Sequence, residues 1–137
     1  MKHLLITIMA LISFISCNND DDTEYSAIAD FIGEWQIEGR TFANGLPVEI
    51  GDEFLVFSED NNFEDLVGRY RLSGETESTG HFFISTPSYD LNFENSIGAI
   101  LTANFNIYNG ILTLEYINND GQIVREVWRK NYYYETE

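Results

Sequence analysis

The chain has 137 residues, 23 acidic side chains against 7 basic, a formal net charge of -16, a single cysteine and 15% aromatic residues. That balance speaks against nucleic acid and against docking on anionic lipid through side chains, since both are gripped by clustered Lys and Arg. One cysteine leaves no intrachain disulfide and no cysteine-based metal site, and the length is one domain's worth, enough to bury a core without covalent staples.

Lys2 and His3 precede an apolar run from Leu4 to Ile15, shorter than the roughly 20 residues that span a bilayer. The run closes on Phe14-Ile15-Ser16-Cys17. A small residue before a lone cysteine at the end of an apolar stretch resembles a bacterial lipobox, with Phe14 where that motif prefers leucine. The resemblance implies a signal peptide over residues 1–16, cleavage before Cys17, and lipid on its sulfur and amino group. Only one base, Lys2, and no acid precede that cut, so the mature chain is more acidic still. Residues 17–23 then form an acidic tether, because Asn18-Asn19-Asp20-Asp21-Asp22 offers nothing apolar to pack. The run also resembles the acidic export tag by which some Gram-negative bacteria send lipoproteins to the cell surface. The expected location is the bacterial outer membrane, lipid-anchored and surface-exposed.

The domain proper is read over residues 24–131, with a tail over 132–137. Residues 24–31 (EYSAIADF) place Tyr25, Ile28 and Phe31 on one face of a short helix, too short to stand alone and expected to plug or cross one end of a sheet. From Gly33 a strand begins, with Trp35, Ile37 and Gly39 on one side and Gln36, Glu38 and Arg40 on the other. Asn44-Gly45-Leu46-Pro47 is a turn, residues 53–57 (EFLVF) an apolar strand, and residues 58–62 another turn. Residues 63–72 read as a strand with a bulge or break at Gly68, Tyr70 and Leu72 facing in, and Arg69 and Arg71 facing out. A polar loop over 74–80 leads to a strand at 81–86, ended by Pro87. Tyr89, Leu91 and Phe93 then alternate with polar neighbours.

Residues 100–130 read as a three-strand antiparallel meander. Leu101, Ala103, Phe105 and Ile107 alternate with polar or outward residues. Asn109-Gly110 carries the signature of a type I′ turn, whose two central residues need positive φ. A two-residue turn there sets Tyr108 opposite Ile111, Ile107 opposite Leu112, Phe105 opposite Leu114 and Ala103 opposite Tyr116. The sum is an all-β protein of about eight antiparallel strands with short links, an up-and-down barrel in preference to a sandwich.

Gly33 and Trp35, just after a short helical turn on the first strand, resemble the Gly-x-Trp opening of the lipocalin-like family. In that family a basic residue of the last strand closes over the indole, and Arg129, within Trp128-Arg129-Lys130, is the candidate here. The resemblance implies a barrel, no catalysis and an apolar ligand.

The sequence carries no nucleophile elbow, phosphate-binding glycine loop or His-Glu-x-x-His motif, so neither an enzyme nor a cofactor is expected. His81 reads as a strand cap. The oxygen-rich run over 60–65 lacks the glycine and distal glutamate of an EF-hand loop and reads as a solvated turn, leaving no expected metal site. Inward parity makes Tyr70, Phe82, Phe93, Phe105, Leu114 and Tyr116 the candidate ligand-binding residues. Arg125 joins them if the loop over 118–121 is even, which also turns Ile123, Val127 and Arg129 inward. Related carriers use such an arginine to hold a carboxylate. An odd loop with a glycine bulge reverses the parity and puts Val124 and Trp128 inside, and an inward Arg125 could equally pair with a structural acid. Two functions follow. One is a monomeric, membrane-anchored barrel binding a small apolar or amphipathic ligand. The other is a surface β-domain with a filled core that binds a protein or glycan.

Overall fold

The computed structural model describes residues 28–60 and 66–132. Eight strands follow one another: β1 (Gly33–Phe42), β2 (Phe54–Glu59), β3 (Val67–Ser73), β4 (Ser78–Ser85), β5 (Asp90–Asn95), β6 (Ile100–Tyr108), β7 (Ile111–Ile117) and β8 (Ile123–Asn131). Each pairs antiparallel with the next, and β8 returns to β1, so the sheet is a closed eight-stranded up-and-down barrel. Cys17, the acidic tether and most of the expected helix lie outside the described residues, as does all but Asp60 of the oxygen-rich run. The described end of that helix, Ile28 and Ala29, is a helical turn held by Phe31 N–H donating to Ile28 C=O at 3.0 Å.

The meander forms as its alternation requires. Tyr108 pairs with Ile111, Ile107 with Leu112 and Phe105 with Leu114, and Asn109 and Gly110 both take positive φ, 52° and 72°. Leu112 and Leu114 are buried, with Phe105 half-buried beside them. Three stretches run differently: β2 continues through Ser58 and Glu59, expected in a turn, β4 begins at Ser78 rather than His81, and Tyr89 sits in the turn before β5 with φ 52°, exposed rather than inward.

Gly39 and Gly68 trade the parts expected of them. At Gly68 the ladder is regular, paired with Glu59 on one side and Phe82 on the other. A side chain there is excluded because a Cβ would strike the Phe82 ring and the Ser58 carbonyl. The irregularity lies instead in β1, where Ile37 pairs with Trp128 but Gly39 with Val127, so Glu38 is the extra residue of a bulge. A slip of one residue exchanges the faces of a strand, and beyond the bulge Arg40 and Phe42 turn into the barrel.

The last strand resolves its parity by the odd loop. Ile117 pairs with Ile123 across five residues, with Gly121 at φ 77°, and Val124, Glu126 and Trp128 are buried. Arg125 is therefore exposed on the outer surface, opposite Glu115 and Thr41. The same parity overturns Arg129 as the closing residue. Arg129 points outward and pairs with Glu38, and it is Lys130, the register partner of Trp35, whose ammonium lies 5.6 Å from the Trp35 ring.

Candidate ligand-binding site

The barrel interior divides in two along its axis. At the end where β1 begins, the chain before Gly33 folds back under the barrel and inserts Phe31, fully buried, among Phe57, Phe82 and Phe105, with ring centroids 5.0–5.8 Å from its own. Trp35, equally buried, fixes that return by donating its indole N–H to the Phe31 carbonyl at 2.8 Å. This is where Gly33 matters: its φ of 133° belongs to glycine and lets the chain leave the plug and enter β1. Edge-to-face rings at these distances are a favourable aromatic geometry, taken here by Phe31 against Phe57 and Phe105, with Phe82 tilted beside them.

The other half is hollow. An eight-stranded barrel is just wide enough either to fill with side chains or to hold one small ligand, and here a cavity of about 720 Å³ opens toward the β1–β2, β3–β4, β5–β6 and β7–β8 connections. Of the residues expected to face a ligand, Tyr70, Phe93, Leu114 and Tyr116 line it. Phe82 and Phe105 point inward but belong to the plug, and Arg125 is outside the barrel. Leu55, Val124 and Trp128 complete the apolar wall. Tyr70 hydroxyl shares a 2.9 Å hydrogen bond with Ser78.

The wall also carries a charged cluster that the alternation of β1 conceals. Arg40 donates from Nε to Glu126 at 2.6 Å, from Nη1 to Glu53 at 3.0 Å and from Nη2 to the other Glu53 oxygen at 3.3 Å. Glu53 and Glu126 are each only 5% exposed. Burial by itself would lower the Arg40 pKa, but the Glu53 hydrogen bonds and the Glu126 charge outweigh it and hold the guanidinium above its usual value. Burial, reinforced by the Glu126 carboxylate, pushes the neighbouring Tyr116 phenol up to about 12. Glu126 is the middle of Val124-x-Glu126-x-Trp128, an acid between two apolar positions that the odd β7–β8 loop turns inward. Arg40 was hidden by the bulge. Trp128, 2% exposed, has an indole N–H with no acceptor among the described residues. Among those residues no group of three His, Cys, Asp or Glu side chains is placed to hold a metal.

No family model matches the chain, and no curated protein matches it. Among solved structures it is similar to a de novo designed fluorescence-activating β-barrel, at 15% identity and a TM-score of 0.57, covering 77% of this chain and 97% of that one. It is also similar to a redesigned β-barrel, at 11% identity and a TM-score of 0.56, covering 77% of this chain and 95% of that one. At such identities the likeness concerns the fold: this chain folds as a closed, eight-stranded, antiparallel β-barrel.

Proposed function

We propose that this protein is a lipid-anchored, lipocalin-like barrel that takes a small apolar or amphipathic molecule into the hollow half of its interior and performs no chemistry on it. The observation that carries this reading is the cavity. Its volume of about 720 Å³ lies in the range of small-molecule sites, and its wall is mostly apolar with a few convergent polar groups. The rim supports it. Leu46, Ile97, Ile100, Ile117 and Ile123 are exposed on the connections and strand ends around the mouth, a surface over which an amphiphile can enter. The lipobox-like end at Cys17 and the Gly-x-Trp pair favour a monomer tethered to the outer membrane and facing outward. Two or more acyl chains, at about 0.8 kcal/mol per buried methylene, anchor where one alone is marginal.

Titration of the full chain carrying Cys17→Ser with the neutral dye N-phenyl-1-naphthylamine tests the binding half. Saturable one-to-one binding is expected, and Leu101→Trp, which adds bulk at the cavity mouth, should weaken it. Absence of saturable binding would return the chain to a surface domain acting through its outer face. Mass spectrometry of the wild-type protein tests the anchor: a mature chain that begins at Cys17 without lipid would remove it.

A further inference from the structure

We infer that the head group favoured in this cavity is a hydrogen-bond donor, a protonated amine or a hydroxyl, and not a carboxylate; the inference rests on the binding role proposed above. An inward arginine ordinarily suggests an acidic ligand. Here the guanidinium is already occupied on Nε, Nη1 and Nη2 by Glu53 and Glu126. Two carboxylates around one guanidinium leave a formal charge of about -1 on the wall by simple valence. Two carboxylates also offer more lone pairs than the guanidinium has N–H groups, so the acceptors in surplus belong to the acids.

A ligand carboxylate gripped on two guanidinium N–H groups would displace Glu53 or Glu126 from Arg40 and leave that acid buried and short of a partner, which is costly, and held more loosely it would sit against two carboxylates of its own sign. A donor head group displaces nothing: it takes up spare lone pairs. The chain as a whole, at -16, adds a field of the same sign. Trp128, the next inward residue on β8 after Glu126, also lines the cavity and gives the ligand body an aromatic wall.

The test uses three competitors with the same decyl chain, namely decylamine, decanol and decanoate. Each displaces N-phenyl-1-naphthylamine from the full chain carrying Cys17→Ser. The amine and the alcohol are expected to displace the dye at concentrations about tenfold below those needed for decanoate, the amine leading. In Glu126→Gln the wall loses its excess charge, and the amine-to-alcohol preference should shrink toward one; Glu53→Gln is the second variant should the first not fold. Decanoate displacing as well as or better than the amine overturns the inference while leaving the binding role intact. A protein that binds neither dye nor amphiphile overturns both.

Discussion

Arg40 on β1 and Glu126 on β8 face each other across the seam that closes the barrel, 86 residues apart in the chain and joined by a 2.6 Å hydrogen bond. Glu53 takes the other edge of the same guanidinium. Arg40→Leu therefore strands two nearly buried acids. Breaking a buried pair from one side costs several kcal/mol. Because the Arg40 side chain is 19% exposed to the cavity, a loss of about 2–4 kcal/mol is expected by urea unfolding. Glu126→Gln, which keeps an acceptor for Arg40, should lose about 1–2 kcal/mol.

The exchanged parts of Gly68 and Gly39 give a paired prediction. Gly68→Ala drives a methyl into the Phe82 ring and the Ser58 carbonyl, and overpacking of this kind costs about 1–3 kcal/mol. Gly39→Ala meets nothing within 4 Å and should stay within about 0.5 kcal/mol of wild type, as surface substitutions do. Thermal melts of the two single variants check the order. A larger loss at Gly39 would show that the bulge needs glycine itself.

Lys130→Met removes the cation over Trp35 and should lower stability by about 0.5–1 kcal/mol, with a change in tryptophan emission. Arg129→Met breaks only the exposed pair with Glu38 and should leave the urea midpoint where it was.

Tyr116 supplies a pH dependence whose sign is fixed. Burial and Glu126 raise its pKa from 10.0 to about 12, so the folded state favours the neutral phenol. The contribution is fully present below pH 10, where the unfolded chain is also protonated. It is lost as pH rises through about 12, because the unfolded state releases its proton first. Tyr116→Phe should therefore flatten the fall in urea midpoint between pH 10 and about 12 relative to wild type.

Strand positions were legible wherever apolar and polar residues alternate against a clear turn, as around Asn109 and Gly110. Parity was not legible where both faces of a strand look alike. In β8, Ile123, Arg125, Val127 and Arg129 make one face and Val124, Glu126, Trp128 and Lys130 the other. Each mixes apolar and charged residues, so alternation cannot choose between them, and the five-residue loop does. The even loop, one of two open readings, would turn Arg125 inward, whereas the closing role of Arg129 rests on the family resemblance alone; the odd loop sets both outside. In β1 the glycine that marks the bulge looked like an ordinary inward position, and Arg40 was read as pointing out. The hollow itself is a property of how eight strands close, with the plug filling one end only, and no single residue announces it.

The seam has a further consequence, for how the chain assembles. The other seven pairings join strands consecutive in sequence, so a curled, open meander can form early, and of the strand pairings only β1–β8 needs a distant encounter. Long-range contacts of this kind slow folding, and until it is made both end strands are bare edges that could recruit another chain. In the native register their polar residues meet as three pairs: Glu34 with Asn131, Glu38 with Arg129, Arg40 with Glu126. Shifted by two residues, these partners no longer meet. The charges along the seam thus act as a key that admits the chain's own last strand in its proper alignment.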